Sequence, residues 1–282
     1  MKITVQFTGV ISTGEFENER PLFALEDEFN GTDMEVQFRQ EALYSICRGM
    51  FDKVQKESIV RRLEKMRKDL RFYPRNGEQY PSVTSIIGWD EDFFISEEDL
   101  LQYAAQGEIN HLKLSYYIKD SKWYEAKEMP EAHFHIVILK KGSLNLPADS
   151  GNIKGFLEKY PIDFTDSEIV VYNDKERYAG RRDACGKPIM NKEWEKLGAK
   201  AVPTLFDMKR TADDKKNFKQ LAGYAEASPE KIEQLIVIPI GDGSKSKPIK
   251  QGFSKPLVTQ NIDAYYKMFL QDREQFKKRF NL

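Results

Sequence analysis

The sequence predicts an α/β chain preceded by a smaller α+β region. Three observations carry this. Segments with period-two apolar patterning alternate with segments whose apolar residues recur every three or four positions. Three strand-like pieces, 168–172, 178–185 and 203–209, precede a helix that begins near Ala212. The stretch RFYPRNGEQYPS, rich in Pro, Gly and Asn, interrupts the pattern near residue 75. Residues 1–75 are therefore an accessory α+β region, and residues 76–282 the main domain.

Each element has its own signal. Ile3, Val5 and Phe7 share one face of a strand over residues 1–11, and GEFENERPLFALEDEF extends it into a small sheet. A helical pattern runs from about Glu35 to Leu70, with the charged run Arg61–Lys68 on its solvated side. A second helix spans about Glu97–Ile118. Ser96 is its N-cap, with Asp99 three residues on. Leu100, Ala104, Gly107, His111, Leu114 and Ile118 recur at helical spacing and form an inward stripe. AHFHIVIL (132–139) reads as a strand and 151–159 as a short helix. After the three strand pieces, Thr211 caps a helix that reaches Ala227, with Asp214 at its third position and Ser228-Pro229 as the stop. QLIVIPI is a buried strand, and a helix from about Asn261 closes the chain.

Composition excludes several classes of function. The 282 residues suit one or two domains. Lys plus Arg is 44 and Asp plus Glu is 45, so the net charge of −1 rules out a diffusely cationic surface, and any nucleic-acid contact needs a local basic groove. The 18 Phe and 13 Tyr argue against disorder. Two cysteines, Cys47 and Cys185, cannot build a four-cysteine zinc or iron–sulfur site, and they suggest a reducing compartment. The apolar run at 235–240 is far short of the roughly 20 residues of a membrane span, and MKITVQFTGV lacks a signal-peptide pattern. The expectation is a cytoplasmic chain with no membrane partner.

Four groups of residues carry candidate chemistry. Asp207 and Lys209 flank Met208 on a strand and point the same way. A carboxylate there can ligate a hard cation, and a neighbouring ammonium can orient water or offset phosphate charge. Asp183, at the end of YAGRRD, supplies a second acid if the two strands pair, and Gly180 suits a close approach. His111 on its helix stripe is either a satisfied core side chain or a metal ligand. Gln220 and Tyr224 share a helical face and could position the lysine or contact DNA. His133 and His135, i and i+2 on the presumed strand, would form a metal pair without a third ligand.

Taken in order, PSVTSI (81–86), GEINH (107–111), SEIVVY (167–172), YAGRRD (178–183), LFDMK (205–209) and QLAGY (220–224) resemble the RecB-like branch of the PD-(D/E)XK nucleases, of the phage and recombination exonuclease type, similar to the mitochondrial genome-maintenance exonuclease. The resemblance covers about residues 78–275. It implies a restriction-endonuclease-like core, with a central mixed β-sheet flanked by helices, and Mg²⁺- or Mn²⁺-dependent cleavage of DNA. It further implies that His111, Asp183, Asp207 and the backbone carbonyl of Met208 ligate metal, with Glu168 as an additional acid. Lys209 takes the catalytic lysine position, and Gln220 and Tyr224 match a pair linked to DNA binding and support of the lysine. Two departures stand out. Asp183 and Asp207 are 24 positions apart, with KPIMNKEWEKLGAK inserted between their strands to cover the substrate or decorate a hairpin. The iron–sulfur cysteines of some relatives are missing.

Arg181, Arg182, Arg210, Lys215 and Lys219 are the candidate DNA-contacting cations, joined by Lys187 and Lys216. Tyr80, Tyr103 and Trp89 are candidates to stack on unpaired bases. Residues 1–75 would dock a recombination or replication partner protein or grip DNA. Three rivals remain: a non-catalytic DNA-binding or assembly subunit on the same scaffold, a sequence-specific endonuclease, and an unrelated metal hydrolase using His133 and His135.

Overall fold

The computed structural model describes residues 2–8, 11–12, 18–28, 31–66, 70–89, 96–144, 146, 152–211, 213–241, 243–244, 247–248 and 253–280. It divides into two compact units, Met1–Tyr80 with Lys278–Leu282, and Pro81–Lys277. The division falls a few residues after the expected break near 75.

In the first unit β1 (Lys2–Thr8) is followed by the short antiparallel pair β2 (Ile11–Ser12) and β3 (Asn18–Glu19), then by β4 (Leu22–Glu28), which pairs antiparallel with β1. Alternation along β1 turns Ile3 and Val5 inward against Cys47 of the long helix α1 (Asp33–Met66). Thr32 and Glu35 cap that helix, the Thr32 amide donating to Glu35 Oε2 at 2.9 Å. The charged run Arg61–Lys68 lies outside the residues whose side chains are described. A hairpin of β5 (Phe72–Arg75) and β6 (Glu78–Pro81) turns at Asn76 and Gly77, both at positive φ.

The second unit opens with α2 (Val83–Gly88) and α3 (Glu97–Asp120). The Ser96 hydroxyl accepts from the Asp99 amide at 3.1 Å, so the expected cap forms. Residues 132–139 are not a strand. From His133 they form α4 (His133–Lys141), whose Leu139 packs with Ala105 and Ile109 of α3. A β-branched run favours strands only as a packing preference, and burial against α3 overrides it here. Then come α5 (Asn152–Lys159), β7 (Ile162–Asn173), β8 (Tyr178–Pro188), α6 (Lys192–Glu195), β9 (Thr204–Lys209), α7 (Asp214–Ala227), β10 (Gln234–Pro239), the two-residue pair β11 (Gly243–Ser244) and β12 (Lys247–Pro248), β13 (Leu257–Thr259) and α8 (Ile262–Phe280). Asp213, not Thr211, caps α7, its carboxylate accepting from the Lys216 amide at 2.9 Å.

Five of these strands form one mixed sheet in the order β13-β10-β9-β8-β7. Strands β7, β8 and β9 are antiparallel neighbours, and β9 and β10 run parallel through the α7 crossover. One face packs Phe206, Met208, Ile236 and Ile238 against Leu114 of α3, Phe156 of α5, Tyr160 just beyond it, and Trp194. The insert after β8 is part of this core. Asn191 caps α6, Trp194 is fully buried, and its indole N–H donates to the Pro161 carbonyl at 2.9 Å. On the opposite face α7 brings Gly223 close to Val83 of α2 and Phe269 of α8. The result is a mixed α/β unit whose central sheet has helices on both sides. No helix among the described residues is long and apolar enough to cross a membrane.

Candidate metal centre

Strands β8 and β9 pair only at Ala184–Phe206, Cys185–Leu205 and Gly186–Thr204. Asp183 and Asp207 are the next residues outward, where the ladder stops and the sheet forks. Across this fork the Met208 amide donates to Asp183 Oδ2 at 2.9 Å, so a carboxylate satisfies a backbone donor that the ladder leaves over. Phe206 and Met208 face the core. Alternation therefore turns Asp207 and Lys209 toward α7, where Gln220 Nε2 donates to Asp207 Oδ1 at 3.4 Å. Lys209 Nζ donates to the same oxygen at 2.8 Å.

From the other side α3 brings His111, and β7 brings Glu168. His111 Nδ1 lies 2.8 Å from Glu168 Oε1 and 3.6 Å from Asp183 Oδ1. The ligand atoms of His111, Glu168 and Asp183 all fall within 4.8 Å of one another. Glu168 sits opposite Asp183, between the Ser167–Ala184 and Ile169–Arg182 pairs. Its φ of 56° is left-handed, a strained conformation for a glutamate within a strand. Arg181 Nε holds its other oxygen at 2.8 Å and reaches Glu108 at 3.2 Å.

Electrostatics mark the same spot. Burial opposes a charge on His111, but Asp183 and Glu168 outweigh it and push the imidazole up to about 9. Burial pushes Asp207 up to about 7; Lys209 pulls it down, and Asp183 pushes it further up. Burial likewise opposes a charge on Lys209, while Asp207 and Asp183 more than offset it and raise its pKa. Asp207 Oδ2 is buried with no hydrogen-bond partner among the described residues. A buried carboxylate oxygen without a donor, beside a second carboxylate, suits a cation. The donor set is carboxylate oxygen plus one imidazole nitrogen, which a divalent metal ion can accept.

Gln220 and Tyr224 meet as their spacing predicts, Gln220 Nε2 donating to Tyr224 Oη at 3.2 Å. The Tyr224 ring lies on Gly180, where an added Cβ would fall 2.3 Å from Cε1. Two separate sequence motifs, YAGRRD and QLAGY, are thus in direct contact.

The candidate cations divide. Arg181 is committed to Glu168 and Glu108. Arg182 is buried, pairing with Asp166 at 2.8 Å and with Glu230, and donating to Ser228 Oγ at 3.0 Å. Lys219 pairs with Asp272. All three are thus engaged in ion pairs within the fold. Arg210 and Lys215 face solvent, and the Arg210 guanidinium lies 4.3 Å above the Tyr103 ring. Tyr80 is buried, which removes it as a stacking platform. His133 and His135 sit on a helix, where i and i+2 do not share a face, so the metal pair anticipated for them does not form. A second grouping, Asp166, Cys185 and Glu230, places its ligand atoms within the same distance of one another. Its carboxylates already surround the Arg182 guanidinium. Sequence reasoning missed this ion network and the Arg181–Glu168 pair, because both join segments with no local signal linking them.

No protein-family model matches the sequence, and no curated protein matches it.

Proposed function

We propose that this chain is a divalent-metal-dependent DNA nuclease of the RecB-like PD-(D/E)XK type, hydrolysing phosphodiester bonds from DNA ends in replication, recombination or repair inside the cell. One observation carries the reading: His111, Glu168 and Asp183 converge beside the Asp207–Lys209 pair at a fork in the sheet. The order of the sequence motifs supports it independently.

Asp183, Asp207, His111, Glu168 and the Met208 carbonyl would hold Mg²⁺ or Mn²⁺. Such an ion, when bound, polarises a phosphoryl oxygen and lowers the pKa of a coordinated water. The side chains do the remaining work. Lys209, tied to Asp207 Oδ1 at 2.8 Å, directs an ammonium toward the scissile phosphate, where it orients water and stabilises the negative charge that develops. Gln220 steadies Asp207 from behind, and Tyr224 steadies Gln220. Glu168, locked by Arg181, fixes the His111 ring. Arg210 and Lys215 supply backbone contacts, and these make binding salt-dependent.

The test uses 5′- and 3′-labelled single- and double-stranded DNA, with a circle, in Mg²⁺ and in EDTA. Progressive shortening of ends in Mg²⁺ alone is expected, with Asp207→Ala and Lys209→Ala inactive. Undiminished cleavage by either purified variant removes the proposed centre. Cutting of the circle at one site identifies an endonuclease, and inertness on every DNA with every divalent ion identifies a non-catalytic scaffold.

A further inference from the structure

Beside the metal centre lies a cavity of about 170 Å³ between α3 and the ends of β9 and β10. His111 and Lys209 line one end of it. It is smaller than the roughly 300–1,000 Å³ of pockets for drug-sized ligands, so it fits one ring system rather than a base pair. Its walls include the apolar side chains of Leu146 and Ile240 and the amides of Gln106 and Asn110. Tyr103, on the same wall, carries the Arg210 guanidinium stacked 4.3 Å from its ring centre. Gly241 keeps Arg210 in place. An added Cβ at Gly241 would fall 2.2 Å from the Arg210 carbonyl, an approach only glycine permits.

Gly107 is the telling residue. It sits inside α3, where glycine costs about 1 kcal/mol relative to alanine. Its backbone does not require glycine, since its φ is not positive. No described neighbour requires it either, because no atom of the described residues lies within 4 Å of where its Cβ would be. It lines this cavity. The missing side chain therefore leaves space that no described residue fills. Tyr103, Gly107, Asn110 and His111 share one helix face, so whatever occupies the space over Gly107 contacts the stacking platform at one end and the metal centre at the other.

We propose that this cavity receives a single unpaired nucleobase of the bound strand, laid over Gly107 against the Tyr103–Arg210 pair, next to the phosphate presented to the metal centre. Apolar walls and a stacking pair suit a planar base, whereas the cations a phosphate would pair with, His111, Lys209 and Arg210, stand at the two ends of the cavity. The inference rests on the nuclease reading and deepens it: the chain engages DNA whose base next to the cleavage point is unpaired.

The test reads binding rather than cleavage. Single-stranded oligonucleotides carrying 2-aminopurine at successive positions are bound in Ca²⁺. Anisotropy of a distal dye reports affinity, and 2-aminopurine fluorescence reports stacking. Position-specific quenching is expected in the unaltered protein. Tyr103→Ala should abolish it and weaken binding about 5- to 150-fold, the range that base–aromatic stacking spans, while Tyr103→Phe retains both. Gly107→Leu fills the cavity with a better helix former and no clash at Cβ, so it keeps its melting temperature and loses the quench. An abasic residue at the quenched position should bind as weakly as Tyr103→Ala. Three results would overturn the proposal. Quenching unchanged in Gly107→Leu leaves the nuclease reading intact and removes the base from the cavity. An abasic strand that binds at full strength makes the occupant a phosphate or sugar. A protein that binds no DNA by anisotropy and cleaves none in Mg²⁺ removes both readings.

Discussion

Gly180→Ala is the sharpest test of how the two strands and α7 fit together. The new Cβ would lie 2.3 Å from Tyr224 Cε1, 3.0 Å from Cδ1 and 3.3 Å from Cζ. Ordinary contact begins near 3.4 Å, so the ring must retreat by 3.4 − 2.3, or 1.1 Å, along the closest line. It cannot swing freely, because it is buried and its hydroxyl accepts from Gln220. Overpacking of this kind costs about 1–3 kcal/mol. With the ring removed, Gly180→Ala has room and should gain about 0.5–1 kcal/mol from its reduced backbone entropy. A double-mutant cycle of Gly180→Ala and Tyr224→Ala should therefore show a coupling of about 1.5–4 kcal/mol, the double variant being no less stable than Tyr224→Ala alone. All three tryptophans, Trp89, Trp123 and Trp194, lie in the Pro81–Lys277 unit. Urea denaturation followed by tryptophan fluorescence thus reports the relevant unit, with stability read from the midpoint at constant m-value. Additivity within about 0.5 kcal/mol would refute the contact. Because the ring supports Gln220, and Gln220 supports Asp207, Gly180→Ala should also slow cleavage of labelled DNA.

Glu168→Gly should be about 1–2 kcal/mol more stable than Glu168→Ala, since both remove the side chain and only alanine pays the left-handed penalty; equal denaturation midpoints would place this residue elsewhere in conformational space. Trp194→Ala should cost about 3–5 kcal/mol, measured the same way, because it empties a fully buried site and orphans the Pro161 carbonyl. Mn²⁺ or Mg²⁺ at 100 times its dissociation constant should stabilise the protein by about 2.7 kcal/mol, seen as a rise in melting temperature that Asp183→Ala abolishes. His133→Ala should change stability by no more than about 0.5 kcal/mol and leave cleavage unaltered, because its ring is exposed on α4.

What the sequence made legible was local. The recurrence of apolar residues from Leu100 to Ile118 located α3 and put His111 on its inward side, and Ser96 marked where it starts. Alternation placed Asp207 and Lys209 together. Failures arose where two local signals were equally good or where the deciding partner was remote. Thr211 and Asp213 are both acceptable caps, and the choice depends on where the chain leaves β9. AHFHIVIL is rich in strand formers, yet α3 offers it a packing surface at helical spacing through Ala105 and Ile109. Arg181 and Arg182 are adjacent and look alike. Only the sheet separates them, sending one to Glu168 and Glu108 and the other to Asp166 and Glu230.

The same remoteness explains why the centre lies where it does. A ladder that continued past Ala184 and Phe206 would satisfy the Met208 amide with backbone. Here it ends, and a carboxylate takes that role. One residue further the Asp207 carboxylate is buried with one oxygen unpartnered, and across β8 Glu168 adopts a conformation that costs of order 1–3 kcal/mol. An unpartnered buried polar group costs a similar amount. Three local departures from favourable structure within one small volume are unexpected of a region serving stability alone. Under the proposed function, a cation held by Asp183 and Asp207 would partner the orphaned Asp207 oxygen and give Glu168 and His111 something to hold. On that reading, replacing Asp207 by an uncharged residue of the same shape should stabilise the metal-free fold while removing its capacity to bind the ion.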